Sequence, residues 1–229
     1  MFIQKKGGSP VAALVANSLL VVLSLVMGIR LLRQYAVRAR SHTLWYAIGL
    51  LLTAAAAFPE LYIKLAGGLT TPLWWLYWVA ASSLVGCLAA GTAYLISPAW
   101  GKVAVLVVCL LTVWLATATV MTAGPGPAII TDTTLSKAPN GVIKAPFLIQ
   151  NIAGALLILG GALWSYYRTR GIYCLFIALG TIVFSAGGAA AGILKFPGVF
   201  YLTQTAGIIL LYLGVMRSGT QRRTAAAAG

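Results

Sequence analysis

Acidic residues are almost missing from this chain. Only Glu60 and Asp132 are acidic among 229 residues, against 16 lysines and arginines, and histidine occurs once. None of the three cysteines has C-x-x-C spacing. A relay of intramembrane carboxylates and a bis-histidine haem need residues that the chain lacks, and no Ser–His–Asp set lies within reach of a predicted span. One histidine also disfavours a histidine-based metal site. We therefore expect no enzyme activity, no cofactor and no metal site.

Charged residues of either sign are also few. They make up 8% of the chain, while 61% of it is hydrophobic. Soluble domains are about 25% charged and about 45–50% apolar, and disordered chains are poor in apolar residues, so both classes are excluded. The sequence therefore predicts an all-α, polytopic membrane protein. Its basic residues lie between apolar runs, where they face anionic lipid headgroups rather than nucleic acid.

Seven apolar segments are long enough to cross a hydrocarbon core of about 30 Å. Glycine and proline mark most of the breaks between them. The predicted helices cover Val11–Leu32, Thr43–Ala66, Pro72–Ile96, Lys102–Ala123, Ala145–Tyr167, Ile172–Leu194 and Gly198–Met216. The seven-helix bundle takes up residues 1–217. The last residues, 218–229, have no periodic apolar face, and we expect a disordered cytoplasmic tail.

Basic residues differ between the two ends of the predicted bundle. One end carries Lys102 and every arginine of the chain, and the other end carries the remaining six lysines. We call the first the arginine end; its arginines are Arg30, Arg33, Arg38, Arg40, Arg168, Arg170, Arg217, Arg222 and Arg223. Cytoplasmic loops of membrane proteins are enriched in lysine and arginine. The sequence thus predicts a multi-pass plasma-membrane protein with its N-terminus outside and its C-terminus in the cytoplasm.

Small residues spaced four apart predict close helix packing in helices 3 and 6. Helix 3 has Ser82, Gly86 and Ala90 in this pattern, and helix 6 has Gly188 and Gly192. We expect helix 3 to be central. Helix 6 has two interpretations, which are packing inside the bundle and a homodimer contact through Gly188 and Gly192.

The connection between helices 4 and 5, residues 124–144, is long for so compact a chain. It is rich in β-branched residues, and the turn pair Asn140-Gly141 precedes Val142 and Ile143. This pattern predicts a short β-hairpin in the external loop. The hairpin is either a lid over a cavity or a loop without a role of its own.

Polar residues inside the predicted spans are the candidates for ligand binding. Glu60 is the only acid in any span; Pro59 tends to kink the helix just before it, and Lys64 lies on the same helix face. This pair is either a ligand anchor or a structural ion pair near the outer interface. The amides either tie helices together or line a cavity, and the tryptophans form either an interface belt or a stacking platform. These further candidates are Asn17, Gln150, Asn151, Gln204, Trp75 and Trp78.

A retinal protein is excluded, although rhodopsins also have seven helices. Predicted helix 7 has no lysine for a Schiff base, and predicted helix 3 has no acid for a counter-ion. The leading hypothesis is a non-enzymatic membrane protein that binds or transports a small or lipid-like ligand in a cavity between helices 1, 2, 5 and 7. The alternative is a heptahelical receptor or accessory subunit that signals through a cytoplasmic partner. Membrane lipids and a small molecule are the expected partners, and nucleic acid is not.

Overall fold

The computed structural model describes residues 10–66, 68–122, 141–194 and 197–227. Within these ranges the chain forms seven α-helices and no strand, so the predicted all-α fold is confirmed there. The helices are α1 (Pro10–Arg38), α2 (Ser41–Ala66), α3 (Thr71–Ile96), α4 (Pro98–Met121), α5 (Gly141–Thr169), α6 (Ile172–Leu194) and α7 (Pro197–Ala227).

Six of these helices, α1 to α5 and α7, are long and apolar enough to cross a membrane. The remaining helix, α6, is 23 residues long, and its described side chains form the apolar stretch Ile172–Ala186. A bundle of this composition is that of an integral membrane protein. The seventh span stays a prediction.

Every helix except α6 begins earlier or ends later than its predicted bounds, and the extensions of α5 and α7 bear on other predictions. α5 begins at Gly141, so Val142 and Ile143 are helical where the second strand of a hairpin was expected. That strand assignment is wrong because Ile143 is fully buried against Trp78 and Leu115, and burial in a core outweighs local β-propensity. The rest of the predicted hairpin falls in residues 123–140, outside the described residues.

The final helix also continues further than expected. α7 runs to Ala227, so the backbone of residues 218–227 is helical where the sequence predicts a disordered tail. Consecutive alanines, the best helix formers, explain why the helix continues through residues 225–227. The cytoplasmic position of this segment stays a prediction.

The helices form a ring in the order α1, α2, α3, α5, α6 and α7, and α7 closes the ring against α1. α4 packs on the outside, against α3 and α5. α3 is central, as predicted, because it contacts α2, α4 and α5 and is buried throughout residues 82–93. Its small residues permit this approach: a Cβ on Gly86 would lie 3.0 Å from Val108 of α4, and one on Gly91 would lie 2.9 Å from Tyr46 of α2.

The closest backbone approach described lies between α6 and α7 and was not predicted. A Cβ on Gly207 would lie 2.8 Å from the backbone nitrogen of Phe184, and one on Gly180 would lie 2.8 Å from the carbonyl oxygen of Gly207. Glycine at these positions lets the two backbones touch, as is common where membrane helices associate. Gly188 and Gly192 lie further along α6, and their surroundings are outside the described residues, so the homodimer contact stays a prediction.

We expect Gly207→Ala to destabilise the bundle by about 1–3 kcal/mol, because the added methyl group meets backbone atoms that cannot rotate away. Gly160→Ala is the matched control, since a Cβ at that position would meet nothing within 4 Å and alanine favours the helix by about 0.5–1 kcal/mol. Melting temperatures in detergent should fall for the first variant and hold or rise for the second. Equal melting of the two variants would contradict the α6–α7 contact.

Candidate functional site

Glu60 lies where three helices meet, and we call this end of the bundle the Glu60 end: the C-terminus of α2 and the N-termini of α3 and α7. The side chain is only 8% exposed. The Tyr201 hydroxyl of α7 donates to Glu60 Oε2 over 2.7 Å, and Tyr77 of α3 also lies beside Glu60. Pro59 lies inside α2 and removes one backbone donor directly before the carboxylate. The only acid of the predicted spans is therefore bonded by a tyrosine of α7 and approached by a tyrosine of α3.

Lys64 does not bond directly to Glu60. Its ammonium nitrogen lies 3.9 Å from the centroid of the Tyr201 ring, is buried, and has no hydrogen-bond acceptor among the described residues. Tyr201 thus lies between the two charges, with its hydroxyl on the carboxylate and its ring face against the ammonium. The sequence allowed a direct ion pair between Glu60 and Lys64. A cation–π contact between Lys64 and the Tyr201 ring takes its place, because an aromatic ring attracts a cation through its negative face.

A cluster of aromatic side chains continues the site towards α5. The Trp78 ring contacts Tyr77 and Phe147 with centroid distances of 5.4 Å each, and Trp74 lies 6.4 Å away. Trp78 is buried in this cluster and Trp75 packs against it, so Trp78 does not belong to a lipid-facing belt. The indole nitrogens of Trp75 and Trp78 are buried without an acceptor among the described residues, which is unusual for tryptophan.

Asn17 is the one predicted amide that joins the surroundings of Glu60. It is fully buried in α1, and its Nδ2 donates to the carbonyl oxygen of Ala57 over 3.4 Å. Ala57 precedes Glu60 by about one helical turn. The contact ties α1 to α2, as interhelical amides commonly do in membranes.

The α5 amides lie elsewhere. With its amide oriented to suit its neighbours, Gln150 donates to the carbonyl oxygen of Ser82 over 3.0 Å, which ties α5 to α3. Asn151 is half-buried, and its Nδ2 donates to the carbonyl oxygen of Phe147 in its own helix over 2.9 Å. Gln204 is half-buried on α7. Gln150 therefore connects α5 to α3, and Asn151 bonds only within α5. The structure brings neither of these two amides to Glu60.

The ring order changes which helices surround Glu60. The sequence predicted a cavity between helices 1, 2, 5 and 7, but α5 packs against α3, α4 and α6. α3 takes the place assigned to α5, because Tyr77 reaches Glu60 from that side. The tyrosines at positions 77 and 201 were missed as site residues, since nothing local marks them and Tyr201 is 141 positions from its partner. One signal could have found them: a chain with a single intramembrane acid needs a donor for it, and a tyrosine near the end of a span can supply one.

This arrangement offers one carboxylate and one ammonium that share an aromatic ring. The carboxylate can accept from a cation or a donor, and the ammonium can bind an anion or a neutral acceptor. Among the residues that the structure describes, no three His, Cys, Asp or Glu side chains come together to hold a metal ion. No protein family, no curated protein and no solved structure matches this chain.

Proposed function

We propose that this chain is a non-enzymatic integral membrane protein that binds or transports a small or lipid-like ligand at the Glu60 end. The observation that carries the proposal is the Lys64 ammonium: it is buried, close to a carboxylate, and without a hydrogen-bond acceptor among the described residues. A buried charge is stable only when it is paired and hydrogen-bonded. A ligand that brings an acceptor to Lys64 would supply the missing partner.

The fixed geometry of the carboxylate supports binding over a purely structural pair. Tyr201 of α7 hydrogen-bonds Glu60, and Tyr77 of α3 lies beside it, so the carboxylate is ordered before any ligand arrives. Preorganisation of this kind lowers the entropic cost of binding. A structural ion pair would gain more from direct contact between Glu60 and Lys64 than from the intervening ring.

The ligand class follows from the groups that surround the site. The ammonium of Lys64 suits a phosphate, a carboxylate or a neutral carbonyl, while the rings of Tyr77, Trp78 and Tyr201 suit an apolar or flat portion. A polar headgroup with an apolar body combines both. Uptake of such a compound into liposomes that contain only this protein would favour transport, and binding without uptake would favour a receptor or accessory subunit.

We also propose a plasma-membrane location with the Glu60 end outside. The C-terminal parts of α1, α5 and α7 carry Arg38, Arg168 and Arg217, and an excess of arginine at one end supports a cytoplasmic position for that end. The same arginines would contact the anionic lipids of the inner leaflet.

A reporter fusion tests this orientation. Enzyme or fluorescent reporters fused after Arg223 should behave as cytoplasmic, and the same reporters inserted beside Asp132 should behave as external. The physical reason is the retention of positively charged loops on the cytoplasmic side during insertion. The reverse pattern would overturn the assignment of inside and outside.

Lys64→Met is the variant that tests ligand binding. Methionine keeps an unbranched apolar side chain but removes the ammonium, so we expect an unchanged fold and loss of bound ligand. Native mass spectrometry of protein extracted in polymer nanodiscs measures non-protein mass on the chain, and thermal melting measures the fold. We expect a retained adduct on the unmodified protein and none on the variant, at similar melting temperature.

Asn151→Ala is the matched control for this experiment. It also removes a polar side chain from a span, but its amide bonds only its own helix. It should keep the adduct. The proposal fails if the unmodified protein carries no adduct, or if Lys64→Met keeps as much of it as Asn151→Ala.

A further inference from the structure

Four buried polar atoms without a hydrogen-bond partner lie on α1 and α7, two on each helix. They are Asn17 Oδ1 and Ser24 Oγ of α1, and Thr205 Oγ1 and Tyr212 OH of α7; none has a hydrogen-bond partner in the part of the chain that the structure describes. All four side chains are at least nine-tenths buried. Buried polar groups in proteins are almost always hydrogen-bonded to protein or to ordered water, so these four require an explanation.

Other buried hydroxyls of the bundle form hydrogen bonds within their own helix. The hydroxyls of Thr53, Thr92 and Thr181 donate to the carbonyl oxygens of Gly49, Leu88 and Ile177, four residues earlier in the same helix. This local bond is the usual arrangement of threonine in a helix. Ser24 and Thr205 do not form it, and neither does Ser82 of α3, which among the described residues is a single unpartnered hydroxyl outside the α1 and α7 faces.

On each of the two helices, α1 and α7, the unpartnered atoms lie on a single helix face. Asn17 and Ser24 are two helical turns apart and share a face of α1, and Thr205 and Tyr212 share a face of α7 in the same way. Tyr201, which bonds Glu60, lies one turn before Thr205 on that face. Tyr212 is roughly 16 Å further along α7 than Tyr201, at the rise of an α-helix.

Both faces belong to the interface of α1, α2 and α7. α1 contacts α2 and α7, and α2 contacts α7. Asn17 donates to Ala57 of α2, and Tyr201 donates to Glu60 of the same helix. The unpartnered atoms thus follow one interhelical seam that starts at Glu60 and continues towards the middle of the bundle.

We propose that this seam holds a column of bound water from Glu60 to Tyr212. Each water needs two to four polar partners, and the seam supplies an amide oxygen, two hydroxyls and a phenol in addition to the carboxylate. No lipid can serve these atoms, because they are buried inside the protein. Such a column gives Glu60 a hydrated connection to the bundle interior. The water column is independent of the ligand proposal, because its four unpartnered atoms belong to α1 and α7, whereas the ligand proposal rests on Lys64 of α2.

Hydroxyl-radical labelling of the unmodified protein tests the column. Radiolysis of bound water oxidises the side chains next to it, and mass spectrometry measures the oxidation at each residue. Tyr212 and Tyr46 are a matched pair, since both are buried tyrosines, but the Tyr46 hydroxyl is occupied by Thr92 at 2.7 Å. We expect clear oxidation of Tyr212 and little of Tyr46. Similar oxidation of the two would overturn the proposal.

Cysteine labelling provides a second measurement at another depth. Thr205→Cys and Thr181→Cys replace side chains that are each 5% exposed, one on the seam and one with a self-satisfied hydroxyl. The native thiols are first removed by Cys87→Ala, Cys109→Ala and Cys174→Ala. A thiol next to water ionises more readily, and its thiolate attacks a charged thiol-specific reagent, so Thr205→Cys should react about tenfold faster or more than Thr181→Cys. Equal rates in variants that melt alike would overturn the column, while leaving the Lys64 ligand test unaffected.

Discussion

The hydrogen bond from Tyr201 to Glu60 is the contact on which the rest of the account depends. A carboxylate inside hydrocarbon costs about 2.5–3.5 kcal/mol on insertion scales unless protein groups satisfy it. The 2.7 Å contact supplies such a group and also joins α2 to α7, which meet over only a small area. The same ring positions the Lys64 ammonium at 3.9 Å. One tyrosine thus joins α7 to α2, satisfies the acid and keeps the cation apart from it.

Around this contact, the bundle divides into parts held by different forces. α6 and α7 are held by backbone contact at Gly180 and Gly207, where dispersion acts over a closely matched surface. α3, α4 and α5 are held at the Glu60 end by the aromatic cluster around Trp78. The interface of α1, α2 and α7 contains, beside its apolar residues, Glu60 and the polar atoms of Asn17, Ser24, Thr205 and Tyr212. Both proposals, the ligand site and the water column, therefore concern this interface.

The sequence was informative where a single physical signal dominates. Long apolar runs predicted the helices, and the small residues of α3 predicted its central position. It singled out Glu60, Lys64 and Asn17 because charge and amide groups are rare in apolar spans. Lys64 lies against Tyr201 and Asn17 bonds Ala57, one turn before Glu60, while their role in ligand binding stays a prediction. It could not assign Gln150 and Asn151, since their surroundings depend on which helix lies next to α5. The bond from Tyr201 to Glu60 was not predicted, because the two residues are 141 positions apart and no periodicity connects them.

A double-mutant cycle on Glu60→Leu and Tyr201→Phe tests the central contact most directly. Free energies of unfolding in mixed detergent micelles should show a coupling of about 1.5–3 kcal/mol, the strength of a hydrogen bond to a charged group. The control cycle pairs Glu60→Leu with Tyr46→Phe, which removes a buried bond to Thr92 at the other end of α2, and should be additive within about 0.5 kcal/mol. Additivity in the Glu60–Tyr201 cycle would contradict the account, because the carboxylate would then not depend on Tyr201.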